Sequence, residues 1–137
     1  MNLKIFIIAY LIILIIGVYI LKLPDLITKE YKLVEEFYYS KSIKYFLIDF
    51  IACLIYIFII FKVIELFKIN NLILKIIICC SVTVTISSIF HYIFKKINNQ
   101  DMFFVRWFNS AGHKATLYDI IIVLAMFLLY TLLDKYL

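Results

Sequence analysis

The chain has 137 residues, of which 66% are apolar or aromatic, and its mean hydropathy is +1.07. A soluble domain is about 45–50% apolar, so a soluble fold is excluded. Two glycines and one proline leave too few turn residues for a many-stranded β fold. The net charge of +5 is attributed to loop lysines that meet anionic lipid headgroups, and no basic patch indicates nucleic-acid binding. The composition therefore predicts an all-α integral membrane protein.

Four apolar stretches are long enough to be membrane-spanning helices. They cover about residues 5–21, 45–67, 72–94 and 115–133. The first resembles a signal sequence because Lys4 precedes it, but it is longer than a usual signal core and has no small-residue cleavage site, so we expect an anchor. The sequence predicts a four-transmembrane-helix bundle that forms a single membrane domain over residues 1–137.

The lengths of the connections predict the topology. A tight link around Asn70 joins the second and third helices, whereas two connections of about twenty residues lie on the opposite side, away from both termini. The side with the long loops carries nine basic residues, and the side with the termini carries five. The positive-inside rule then places the long loops in the cytoplasm. The short first helix fits a thin, endoplasmic reticulum-derived membrane.

Both long loops have sequences typical of segments that lie on a bilayer surface. After Pro24, four residues at helical spacing form one apolar stripe, namely Ile27, Tyr31, Val34 and Tyr38. This stripe predicts an interfacial amphipathic helix in the first long loop. Residues 102–108 of the second loop are apolar and aromatic around Arg106, which predicts an interfacial anchor or a shallow re-entrant segment. The expected partners are the lipid bilayer and a second copy of the chain or another membrane protein.

The two halves of the chain, residues 1–69 and 70–137, share a weak similarity. Lys44–Asp49 and Lys114–Asp119 align without gaps and share Lys, Leu and Asp, and each opens the second helix of its half. A duplication of this kind would be a parallel repeat about an axis along the membrane normal. Chance similarity is the alternative, because 29 isoleucines and 13 lysines against one arginine indicate an AT-rich genome.

Asp49 and Asp119 are the strongest candidates for functional residues, because an acidic residue inside a membrane span costs about 2.5–3.5 kcal/mol. His91, near the far end of the third helix, is expected at the same depth. One hypothesis is a proton or cation relay formed by Asp49, Asp119 and His91. The other is structural: each aspartate pairs with a loop lysine, with Arg106 or with His91, and fixes the helix register.

The third predicted helix carries small polar residues in two neighbouring rows: Ser81, Thr85 and Ser88, and beside them Cys80, Ser87 and His91. We expect these rows to form the central packing face rather than a hydrophilic pore. The three cysteines lie in apolar runs without metal-ligand spacing, so neither a metal nor a cofactor is expected. Lys62 and Glu65, one turn apart, are expected to pair.

The sequence contains no complete catalytic motif: no Gly-rich phosphate loop, no G-x-S-x-G and no H-E-x-x-H. Phe108–Ala111 resembles the Phe-Asn-x-Ala-Asp motif of lipoprotein signal peptidase, but Gly112 stands at the motif's catalytic aspartate. The protein is therefore not expected to be an enzyme.

A longer pattern covers Phe103–Phe108, Gly112, Lys114 and Leu117–Ile120. It is similar to uncharacterised four-span membrane proteins of AT-rich large DNA viruses, which implies a virion or host-membrane protein and brings no catalytic residues with it. The sequence thus predicts a structural or assembly role in a membrane. The alternative is proton- or cation-linked transport through Asp49, Asp119 and His91.

Overall fold

The computed structural model describes residues 1–40, 43–97 and 99–137, and all regular secondary structure in these ranges is helical. Four helices are long and apolar enough to cross a membrane: Leu3–Ile20, Ile43–Leu66, Leu72–Lys96 and His113–Tyr136. The prediction of four such helices is confirmed, and their bounds differ from the predicted ones by at most three residues.

The first of these helices has two parts, α1 (Leu3–Ile13) and a π-helical segment (Leu14–Ile20). The other three are α4 (Ile43–Leu66), α5 (Leu72–Lys96) and α7 (His113–Tyr136). Asparagine side chains cap two of the N-termini. Asn2 accepts a hydrogen bond from the backbone N–H of Lys4 at 3.0 Å, and Asn71 accepts one from Ile73 at 2.8 Å. These caps satisfy backbone donors that have no partner within the helix.

Helix α7 is the centre of the arrangement, because it contacts α1, α4 and α5. At one end of the helices, the Tyr130 hydroxyl of α7 accepts a hydrogen bond of 2.7 Å from the backbone N–H of Asn2. The two long connections contact each other at the other end, where Glu36 meets Arg106. The described residues therefore have both long connections at one end of the helices and the N-terminus at the other.

Two apolar clusters follow each other along the helices. The larger one joins α1, α4, α5 and α7 and includes the fully buried Phe6, Ile57, Ile60 and Phe127. The second lies at the end with the long connections and includes Val34, Trp107 and Tyr118. Asp49 and Asp119 lie beside these clusters. Asp49 accepts hydrogen bonds from Tyr10 and Tyr38, Asp119 accepts one from Tyr56, and all three tyrosines pack in or against the clusters.

The first long connection is not the single amphipathic helix that the apolar stripe predicts. It contains α2 (Leu23–Thr28), α3 (Tyr31–Val34) and a second π-helical segment (Glu35–Tyr39). Lys29 adopts a left-handed conformation with φ of +56°, which interrupts the helix and changes the register of the stripe. Val34 is fully buried as a result, whereas Tyr31 is 63% exposed.

The second long connection contains α6 (Phe103–Ala111), and Gly112, with φ of +56°, separates it from α7. The segment for which we expect an interfacial anchor or a shallow re-entrant segment is thus a short helix, and several of its aromatic side chains pack against the rest of the chain. Phe103 and Trp107 are each only 7% exposed, because their rings pack on Phe37 of the first connection and on Tyr118 of α7. The two connections therefore pack on each other and cover the end of the helices.

Candidate functional site

Asp49 is held by hydroxyl groups from two other parts of the chain. The Tyr10 hydroxyl of α1 donates a hydrogen bond of 2.7 Å to Oδ2, and the Tyr38 hydroxyl of the second π-helical segment donates one of 3.3 Å to Oδ1. Tyr38 in turn accepts a hydrogen bond of 2.8 Å from the Tyr118 hydroxyl of α7. Burial raises the pKa of the Tyr38 phenol well above its ordinary value, so this ring remains a donor. The network links Asp49 to α1, to α7 and to the first long connection.

Asp119 has a different set of partners. Its Oδ2 accepts a hydrogen bond of 2.9 Å from the Ser87 hydroxyl of α5 and one of 3.4 Å from the Tyr56 hydroxyl of α4. Ser87 Oγ also lies 3.2 Å from Thr116 Oγ1. Both hydrogen bonds to this carboxylate fall on one oxygen, and none to Oδ1 occurs within residues 1–40, 43–97 and 99–137. Oδ1 thus remains able to accept a further donor.

The two aspartates occupy equivalent positions, since each is the seventh residue of its helix. At about 1.5 Å per residue, both lie about 9 Å from the helix start, on the side of the long connections. Both face inward and line one cavity of about 320 Å³ between α4, α5, α6 and α7. The wall is otherwise apolar and mostly aromatic, and it includes Phe90, Phe94 and Trp107.

The cavity has a cover and a side opening. Phe37 and Tyr38 of the first long connection and Phe103 and Phe104 of α6 close it at the end of the helices. Ile51 and Ile55 of α4 and Phe90 of α5 also line it. These three side chains are 52%, 46% and 38% exposed, which shows that the cavity opens sideways between α4 and α5.

An ion pair joins the two halves of the cover. The Arg106 guanidinium of α6 donates two hydrogen bonds to the Glu36 carboxylate of the first connection, at 2.6 and 2.8 Å. These hydrogen bonds lower the pKa of Glu36 and raise that of Arg106. Paired donors on a planar guanidinium fix both the distance and the orientation of a carboxylate. The pair therefore holds the first connection against α6 above the cavity.

The partners that the structural hypothesis assigns to the two aspartates are wrong for the described residues. Asp49 and Asp119 accept hydrogen bonds from tyrosine and serine hydroxyls, whereas the carboxylate bound by Arg106 is Glu36. Of the lysines in the two long connections, Lys41 lies outside the described residues. The reason is packing: Arg106 lies on α6, which contacts the first connection directly.

His91 is not part of the cavity wall. His91 lies one helical turn beyond Ser87 on α5, closer to the long connections. The centre of its ring lies 5.8 Å from the ring centre of Phe108 and 6.1 Å from that of His113. The ring of Phe108, on α6, therefore occupies the space beside His91. The structure brings Asp49 and Asp119 together and leaves His91 outside their hydrogen-bonded networks.

The predicted packing face of α5 needs a correction. The row that is fully buried consists of Cys79, Thr83 and Ser87, at a helical spacing of four residues. Ser81, Thr85 and Ser88 are exposed, and Cys80 is only partly buried, so of the predicted rows Ser87 alone is fully buried. The hydroxyls of Thr83 and Thr85 donate hydrogen bonds to the backbone carbonyls one turn earlier. Each hydroxyl therefore has a partner whether it lies on the buried or on the exposed face of α5.

Four residues of the site were not identified from the sequence: Tyr10, Tyr38, Tyr56 and Tyr118. One signal was available for Tyr56, because it follows Asp49 by seven residues and so lies on the same face of α4.

No group of three or more histidine, cysteine or acidic side chains that could hold a metal ion occurs in the part of the chain that the structure describes.

Comparison with protein-family models, with curated proteins and with solved structures finds no match for this chain.

Proposed function

We propose that this chain is a four-helix integral membrane protein that moves protons or cations through the cavity lined by Asp49 and Asp119. The observation that carries the proposal is that two carboxylates from different helices line one cavity, and that their hydrogen-bond donors are neutral hydroxyl groups. An acidic residue inside a membrane span indicates a functional site unless a structural partner neutralises it.

The lengths of the helices support the membrane placement. A helix of 24 residues, such as α4 or α7, is about 36 Å long, which is sufficient for a hydrocarbon core of about 30 Å. Large apolar side chains such as Ile15, Phe58, Ile77 and Leu132 are about half exposed on the outer surfaces of these helices. Lipid is the partner that would cover such surfaces, and the long connections are assigned to the cytoplasmic side by their basic residues.

The charges around the cavity favour exchange of a cation. Hydrogen bonds from neutral hydroxyls stabilise a carboxylate but leave its charge in place. A proton or a cation that reaches the cavity neutralises this charge, and loss of that ion restores it. Two carboxylates in one cavity also repel each other when both are ionised, which favours binding of a positive charge between them.

The hydrogen bonds also support a second candidate function, the structural or assembly role. Asp49 ties α4 to α1, and Asp119 ties α7 to both α5 and α4. Such bonds across a helix interface fix the register of helices in lipid, where no hydrophobic force acts between them. In this case the two carboxylates hold the bundle together, and no ion moves.

Flux measurements distinguish the two functions. Purified protein is reconstituted into liposomes with a trapped pH-sensitive dye, and a pH gradient is imposed. We expect flux in the unmodified protein, loss of flux in Asp49→Asn and in Asp119→Asn, and normal flux in Asp134→Asn. Asp134 is the matched control because it is an exposed carboxylate on the same helix as Asp119.

Two results would contradict the transport function. One is an absence of flux in the unmodified protein; the other is flux that both cavity variants retain. The structural role predicts no flux at all, together with a lower midpoint of thermal unfolding for Asp49→Asn and Asp119→Asn than for Asp134→Asn. Circular dichroism of each variant shows whether its helices have formed.

A further inference from the structure

We infer that the cavity binds a lipophilic organic cation, a protonated amine or a quaternary ammonium ion with an aromatic or branched apolar body, which enters from the bilayer between α4 and α5. The inference rests on the proposed function in taking the two carboxylates as the site of charge exchange, and it adds the class of ligand and its route.

The wall of the cavity fits an organic cation. Phe90, Phe94, Phe103 and Trp107 line it, and an aromatic face attracts a cation within about 6 Å of its centre. A metal cation requires about six oxygen ligands to replace its water. The oxygens of this wall belong to two carboxylates and three tyrosines, and all three tyrosine hydroxyls already donate hydrogen bonds within the site. The rest of the wall is mostly apolar, so an apolar body is needed to fill it.

The free acceptor is on Asp119. Asp49 has a hydroxyl donor on each of its two oxygens, whereas Asp119 has both of its donors on Oδ2. An ammonium group in the cavity can therefore pair with Asp119 Oδ1 without breaking a hydrogen bond of the protein. Asp119 is the expected counter-ion, and Asp49 is expected to contribute through its charge.

The volume and the opening of the cavity are consistent with this ligand. A cavity of about 320 Å³ lies at the lower end of the range of about 300–1,000 Å³ that small organic ligands occupy. Its side opening is bordered by Ile51, Ile55 and Phe90, which are exposed on the outer face of the helices. A cation with an apolar body concentrates in the bilayer at this depth and reaches the opening without crossing the aromatic cover.

Two probes of the same shape test the role of charge. Phenyltrimethylammonium and tert-butylbenzene differ in that nitrogen replaces the quaternary carbon, so the first is a cation and the second is neutral. Trp107 reports binding, because it is the single tryptophan of the chain and lines the cavity. Each probe is titrated against the full-length protein in lipid nanodiscs, and the fluorescence of Trp107 is recorded.

We expect a saturable change with phenyltrimethylammonium and at least about tenfold weaker binding of tert-butylbenzene, since cation–π and ion-pair contacts are lost. Asp119→Asn should weaken cation binding by a larger factor than Asp49→Asn, and Asp134→Asn should leave it unchanged. Equal affinity for the two probes would overturn the inference and would indicate a pocket for a neutral apolar group such as a lipid chain. This comparison uses the unmodified protein and so does not depend on the folding of any variant.

The inference and the proposed function can fail separately. Binding of phenyltrimethylammonium without flux in liposomes would support the ligand class and contradict transport. Flux that continues at a high concentration of phenyltrimethylammonium, with no response of Trp107, would support transport and overturn the ligand class.

Discussion

The ion pair between Glu36 and Arg106 is expected to stabilise the cover of the cavity, and a double-mutant cycle measures its contribution. The changes are Glu36→Gln, Arg106→Gln and the two together, which remove the charges and retain side chains of similar size. The single changes should destabilise the protein because each leaves the other charge without its partner. The free energy of unfolding is measured by SDS titration in mixed micelles, with Trp107 fluorescence as the signal.

The exposure of the two side chains sets the expected magnitude. The Arg106 side chain is 31% exposed and that of Glu36 is 34% exposed, so the pair is neither fully exposed nor fully buried. An exposed pair has a coupling energy of about 0.2–1 kcal/mol, and breaking a buried pair costs about 3–5 kcal/mol. We expect a coupling energy of about 1–2 kcal/mol, which includes a reduction for solvent screening.

The pair Lys62 and Glu65 is the matched control. Its sequence-based prediction is confirmed at an N···O distance of 3.3 Å, but its side chains are 61% and 74% exposed. The same cycle of glutamine substitutions should give a coupling energy below about 0.5 kcal/mol. Equal coupling energies at the two pairs, or no coupling at Glu36 and Arg106, would refute the reasoning.

The pH dependence of the same pair follows from the pKa of Glu36, which Arg106 lowers below the ordinary value of 4.5. A depressed pKa in the folded state means that the stabilisation is fully present above the ordinary pKa. It is lost as the pH falls through the lower folded value. The unmodified protein should therefore lose stability below about pH 4.5, and Glu36→Gln should lose less over that range.

Three further predictions concern the fold. Gly112→Ala should destabilise the protein by about 1–3 kcal/mol, because the φ of +56° at this position is unfavourable for any residue with a Cβ. Gly17→Ala should be tolerated, because its Cβ would meet side-chain atoms at 3.6 Å, an ordinary contact distance. SDS titration measures both changes in stability. Phe127→Ala should lower the free energy of unfolding by about 3–5 kcal/mol in the same assay, because the ring is fully buried, and a loss below about 1 kcal/mol would place it outside the core. Cysteines introduced at Ser40 and Asn70 should react with an impermeant thiol reagent from opposite sides of a membrane, and labelling from the same side would contradict the topology.

The four long helices could be predicted because the length and composition of an apolar stretch suffice to identify a helix of this kind. The depth of Asp49 and Asp119 also follows from the sequence, since each is placed by counting residues from the start of its helix. Their inward orientation depends on which faces of α4 and α7 meet the other helices. The two helices are apolar nearly all round, so periodicity does not identify that face.

The partners of the aspartates could not be predicted for a related reason. Tyrosine is frequent in this chain, with 11 residues, so a single tyrosine carries little information. The packing face of α5 could not be predicted because small polar residues occur on both sides of that helix. Packing of α5 against α4 and α7 leaves the row of Cys79, Thr83 and Ser87 buried, and these contacts are tertiary.

The most direct test of the central claim, that Asp49 and Asp119 line a cavity open to the bilayer, is modification by a lipid-soluble carbodiimide. Such reagents react with protonated carboxyl groups in apolar surroundings. The protein in liposomes is treated with a low concentration of reagent, and peptide mass spectrometry locates the adducts. We expect adducts at Asp119 and Asp49 that phenyltrimethylammonium suppresses, and few at the exposed Asp134. Adducts at Asp134 with none at either cavity carboxylate would contradict the claim.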